Sequence, residues 1–275
     1  MPFIIAATDF SSVADNAVKY ACELALAQNA DVALIHTYSI PLTLGDMAVP
    51  LPASDFLTDA QDTMNRLIAD LAHQYPQITF RNAIIYGNII DAINEFVRDD
   101  SPPMFVVVGN SYTHEDPSWM DSTLLDALRT LKYPILAIPG DTEYTQVRKV
   151  GFVYDNELGG SEHALQQLAA LSINIGAELH VHYNHPTPPD DDEPVVEINN
   201  GARGLLTPAN PLYHYTIGED IDASILDFVA KYHLDWLVVM PRRHSFFENL
   251  FHKSHTKMIV NSSYIPVMAL HETDV

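Results

Sequence analysis

Apolar and polar positions fall in blocks along this chain, and the blocks recur. The run FIIAATD closes on Asp9. Its nearly unbroken hydrophobicity predicts a strand, Phe3–Ala7, buried on both faces. A short polar turn follows. In SSVADNAVKYACELALAQNA the apolar residues then fall three and four apart, which predicts an amphipathic helix. VALIHTY at 32–38 predicts the next strand. The second half starts again in the same order: KVGFVYD closing on Asp155, GGSEHALQQLAALSINIGA as a helix, and LHVHY at 179–183 as a strand.

Later landmarks pair as well. Gly87 and Gly218 each end a predicted strand and open an amphipathic helix, FVVVG (105–109) matches WLVVMP (236–241), and LKYPILAIP matches SYIPVMALH. The interval from Gly109 to Pro134 equals that from Pro241 to Pro266, which chance alternation would rarely give. Each half therefore reads as strands alternating with helices. Parallel strands need crossover helices, so each half is expected to be a parallel sheet covered on both faces. The expected domains are 1–141 and 146–275, joined near the polar, turn-rich GDTEYTQ at 140–146. The last strands, Ile135–Ile138 and Val267–Leu270, are expected to pair antiparallel, because an unpaired last strand would expose backbone donors and acceptors. Two segments, 39–60 and 185–200, break the pattern as proline-containing loops after the second strand of each half. In open α/β sheets that carboxyl edge is where ligands bind.

Composition narrows the class. The chain is 47% hydrophobic, enough for a substantial core. No stretch reaches 18 consecutive apolar residues, so a transmembrane helix is not expected, and the N-terminus lacks the basic region and cleavage site of a signal peptide. Asp and Glu outnumber Lys and Arg by 36 to 14, for a formal charge of −22. A field of that sign repels nucleic acid and anionic membranes, so neither is an expected partner. Cys22 is the single cysteine, which excludes an internal disulfide and fits a cytoplasmic location.

On Asp9, Asp155, the strands closing near His36 and His182, Gly87, Gly218, Pro134 and Pro266, the chain resembles the universal stress protein family, once per half. The resemblance implies an α/β fold: two tandem Rossmann-like (adenine nucleotide alpha hydrolase-like) domains, each a five-stranded parallel sheet with helices on both faces. It also implies a stress-response role and an internal pseudo-dimer; a homodimer of the whole chain is the secondary expectation. ATP is the cofactor it brings into question. ATP-binding members carry G-x2-G-x9-G-[ST] after the fourth strand, where glycines let backbone amides approach phosphate. Here Gly109 holds the first position, Tyr112 the second, and Ser122 and Thr123 the last two. In the second half Pro241, His244, Ser254 and His255 stand there, and no glycine survives. Nucleotide or ligand contacts are thus carried over only onto Asp9, Gly109, Ser122, Thr123, Asp155 and Ser254.

In place of the second cradle stands PRRHSFFENLFHKSHTK at 241–257. Arg242, Arg243, His244 and Lys253 could accept an anion; they could instead balance acids elsewhere, or flank a packing patch of Phe246, Phe247, Leu250 and Phe251. His180 and His182 share one strand face, with His185 just beyond, which suits either pocket hydrogen bonding or a transition metal. No nucleophile elbow is present, Cys22 reads as core, and no catalytic residue is assigned. The expected function is a non-enzymatic stress-response protein that binds an unknown small ligand or a protein partner. The alternative is a weak nucleotide binder or ATPase using the first half.

Overall fold

The computed structural model describes residues 1–39, 53–98, 100–110, 126–128, 130–154, 162–185, 198, 200–217, 220–240 and 264–271. They form two compact units, Met1–Gly109 and Asn110–Val275.

In the first unit the strands are β1 (Phe3–Ala7), β2 (Asp31–Tyr38), β3 (Phe80–Tyr86) and β4 (Phe105–Asn110). Their order is β3-β2-β1-β4. The pairs of β1 with β2, β1 with β4 and β2 with β3 are all parallel. Every residue of β1 is buried, because helices cover both faces of the strand. The helices are α1 (Ser12–Gln28), α2 (Ala53–Gln74) and α3 (Ile89–Val97). α1 starts where Ser11 Oγ accepts the Ala14 N–H at 3.2 Å, and ends at Asn29 in the left-handed conformation. α2 begins at Ala53, so the loop expected over 39–60 is shorter than its sequence suggested. The prolines that mark it lie before Ala53, and SDFLTDA at 54–60, which reads as loop, is helical.

In the second unit the strands are β5 (Ile135–Pro139), β6 (Lys149–Tyr154), β7 (Glu178–His185), β8 (Leu212–Ile217), β9 (Trp236–Val239) and β10 (Val267–Ala269). The order is β5-β10-β9-β6-β7-β8. β6–β7, β6–β9, β7–β8 and β9–β10 are parallel. β5 pairs antiparallel with β10, Met268 opposite Leu136 and both fully buried. The strand that the repeat places last in the first half therefore lies in the second compact unit. The helices are α4 (Glu162–Ile175), α5 (Asn200–Leu206) and α6 (Ile221–Tyr232). α6 is capped by Asp220 Oδ1, which accepts from Ala223 N, and by His233 at φ 52°. No helix among the described residues is long and apolar enough to cross a membrane.

Two glycines are fixed by close packing. A Cβ on Gly109 would lie 2.9 Å from both Val13 Cγ1 and the Val13 carbonyl oxygen. A Cβ on Gly151 would lie 2.3 Å from Leu234 Cδ1 and 3.0 Å from Phe228 Cε1. β4 can therefore pass α1, and α6 can rest on β6, only over a bare backbone.

Candidate functional site

At the carboxyl edge of the first sheet, β1 hands over to α1 through Thr8, Asp9, Phe10 and Ser11. Thr8 Oγ1 accepts the Phe10 N–H at 3.0 Å, and Asp9 Oδ1 accepts the Ser11 N–H at 3.0 Å. These side-chain bonds satisfy the turn and hold Phe10 at φ 64°, left-handed space that a bulky residue rarely enters. His36, one residue short of Thr37 on β2, donates Nδ1–H to the Thr8 carbonyl oxygen at 2.8 Å. That bond turns its ring onto Phe10, with centroids 4.3 Å apart. Burial pushes the His36 pKa down, against the pull of the Thr8 bond and the Asp9 charge. The imidazole is thus neutral at pH 7, with Nε2 as acceptor. Both rings are half-buried and the turn beside them carries the Asp9 carboxylate. Burial also raises the Asp15 pKa, despite Lys19, and the neighbouring Asp9 adds to the rise. Next along the edge, Tyr38 meets Tyr86 edge-on at 5.7 Å, and Tyr86 is 62% exposed. Gly87, at φ 124°, donates its N–H to the Tyr38 carbonyl and turns the chain toward α3.

The second unit carries a histidine group in which His180 and His182 are buried and His214 is half-buried. His180 Nδ1 lies 3.0 Å from His214 Nε2, and His182 Nε2 lies 3.0 Å from Thr216 Oγ1 and 3.2 Å from Ser224 Oγ. His180 Nε2 lies 3.5 Å from the exposed Glu178 carboxylate, in ion-pair range but without hydrogen-bond geometry. Burial lowers the pKa of all three histidines, that of His182 to about 4.

Of the residues expected to bind ligand, Asp9 and Gly109 are described, and Asp9 stands at the first sheet's carboxyl edge. Ser122, Thr123, Asp155 and Ser254 lie outside the described residues, as do Arg242, Arg243, His244 and Lys253. His180 is hydrogen-bonded to His214, and His182 to Thr216 and Ser224; the side chain of His185 lies outside the described ones. Among the described residues no group of three His, Cys, Asp or Glu side chains is placed to hold a metal ion. Sequence reasoning missed Phe10 and His214. Phe10 looks like an ordinary apolar residue after a strand. The pairing of His214 with His182 depends on the β7–β8 register, although H-x-H alternation hinted at a partner across the ladder.

Mostly parallel strands joined by crossover helices in both units define a Rossmann-like α/β protein. The chain belongs to the universal stress protein family: the model of that family matches residues 3–139 and again 146–271. Solved structures of the same fold include a universal stress protein from Archaeoglobus fulgidus DSM 4304, at TM-score 0.67 and 12% identity over 99% of this chain and 97% of that one. A protein of unknown function from Pseudomonas aeruginosa PAO1 matches at TM-score 0.56 and 12% identity over 99% of this chain and 93% of that one. No curated protein matches the sequence.

Proposed function

We propose that this universal stress protein is a non-enzymatic, cytoplasmic binder of a small ligand, acting in the stress response, with its site at the carboxyl edge of the first unit. The observation that carries the reading is the Phe10–His36 ring pair beside Asp9. A residue held at φ 64° is strained by about 1–2 kcal/mol, and such strain persists where the surroundings impose it for use. The pair offers a planar ligand a stacking surface, and Asp9 offers a carboxylate to a donor on that ligand.

A triphosphate cradle fits less well. Gly109 already has a packing reason to be glycine, and the first half has only that one of the three glycines in the family's phosphate loop. Weak nucleotide binding through Asp9, Gly109, Ser122 and Thr123 is the competing reading. The domains remain 1–141 and 146–275 in this account, and β5–β10 is the seam of an internal pseudo-dimer; a protein partner or homodimer would add to it. Arg242, Arg243, His244 and Lys253 are kept as an anion-accepting segment.

Thermal unfolding with adenosine, with Mg-ATP and without ligand separates the readings, since a ligand of the native state raises the midpoint. A planar-ligand site predicts a rise with adenosine that Mg-ATP does not exceed, and no release of phosphate. A larger rise with Mg-ATP, or steady hydrolysis, would establish the competing reading.

A further inference from the structure

Along one stripe, the seam between α6 and its sheet in the second unit sets histidine rings against the helix, beside the buried Ile225, Phe228 and Val229. Ser224, Phe228 and Tyr232 recur every four residues and form one stripe of α6. Ser224 touches His182. Phe228 lies 4.7 Å from the His182 ring and 5.6 Å from that of His214. Tyr232 lies 3.9 Å from His214 and 5.6 Å from His180. Aligned on Asp9 and Asp155, the repeats place Ile4 with Val150. Ile4 pairs with Val32, and Val150 with Leu179. Ala33 and Ile35 thus stand where the second unit has His180 and His182. Ala33 pairs with Arg81, and His180 with Leu212, so Ala83 and Ile85 stand where it has His214 and Thr216. On the helix, Ile93 and Val97 of α3 stand where α6 has Ser224 and Phe228. At these positions the first repeat is apolar, whereas the second has His180, His182, His214, Thr216 and Ser224 beside its apolar Ile225, Phe228 and Val229.

We propose that His180, His182 and His214 form an acid-operated latch, which takes up protons as pH falls and releases α6 from the sheet. Only one hydrogen fits between His180 Nδ1 and His214 Nε2, so charging both rings sets two N–H groups against each other. His182 is 1% exposed, and its Nδ1 has no hydrogen-bond partner among the described residues. Protonated, that nitrogen is a buried donor with nothing to accept it.

The charges around the group are mixed: the Glu178 carboxylate favours a charge on His180, and the lysines oppose charge on His180 and His214. On β7, Glu178 faces His180 alone. On β6, Lys149 donates to the Tyr232 carbonyl oxygen at 3.1 Å and opposes a charge on His180. On α6, Lys231 opposes a charge on His214, and Ser224 and Tyr232 bring no anion. On β8, Thr216 shares its hydroxyl with Ser224. The latch is local, because α3 in the first unit rests on its buried Ile89, Ala92, Ile93 and Val97.

Hydrogen exchange of the full chain at pH 7 and pH 5, expressed as protection factors to remove the intrinsic pH dependence, tests the latch. For His182 alone, a folded pKa of about 4 against 6.5 predicts a roughly twentyfold fall in protection over Ile221–Tyr232. Protection over Ile89–Val97 is expected to hold. The variant carrying the first unit's residues, His180→Ala/His182→Ile/His214→Ala, should keep α6 protected at both pH values. Should that triple variant not fold, His182→Ile alone should lessen the fall. Equal α6 protection at pH 7 and 5 in the native protein, or a fall in α3 in step with α6, would overturn the proposal.

Discussion

His182 Nε2 sits between the hydroxyls of Thr216 and Ser224 while its Nδ1 stays buried without a partner. Its pKa, lowered to about 4 by burial, therefore carries a stability cost at low pH. The sign follows from linkage: the unfolded chain binds this proton first, near pH 6.5, so stability is full above that pH and is lost as pH falls toward 4. The loss amounts to about 3 kcal/mol at its limit. Urea unfolding between pH 7 and 4.5 should show the midpoint of the native protein falling more steeply than that of His182→Ile.

Gly109→Ala tests whether that glycine serves packing. A methyl group there meets the Val13 backbone oxygen, which cannot move away as a flexible side chain could. The variant should lose about 1–3 kcal/mol of stability with no ligand present. A variant as stable as the native protein, but deficient in nucleotide binding, would return Gly109 to the phosphate role.

The fold was largely legible in the pattern. The continuous strands and crossover helices follow from apolar period and landmark spacing, and the antiparallel β5–β10 pair from the cost of leaving a last strand unpaired. The start of α2 was not, because a proline-rich approach and a polar first turn carry no apolar period. Asp9 was legible as a strand-end acid. The left-handed Phe10 was not, since the Thr8 and Asp9 side-chain bonds that impose it are a property of the turn and leave no hydrophobic signature. The histidine row was half legible: alternation puts His180 and His182 on one face, but only strand register brings His214 and Thr216 to them.

Phe10→Gly should separate binding from stability. Glycine enters the left-handed region without strain, so relief of about 1 kcal/mol offsets much of the lost ring contact. Calorimetry should find the variant about as stable as the native protein and unable to bind the first-unit ligand. A strongly destabilised variant would make Phe10 a packing residue.

For Arg242, Arg243, His244 and Lys253, the anion reading predicts that polyphosphate binds more tightly at pH 5.5 than at pH 7.5, because a histidine side chain free of perturbation gains its proton at about pH 6.5. Salt should weaken that binding. Titration of Arg242→Ala/Arg243→Ala should show affinity reduced at both pH values. Equal, pH-independent affinity in the two proteins would remove the segment from consideration.

The most direct measurement is native mass spectrometry of the protein as purified, beside Phe10→Ala prepared identically. A small ligand held at the first unit's carboxyl edge predicts an added mass on the native chain that is absent from the folded variant. Added mass on both proteins, or on neither, would contradict a site built on Phe10, His36 and Asp9.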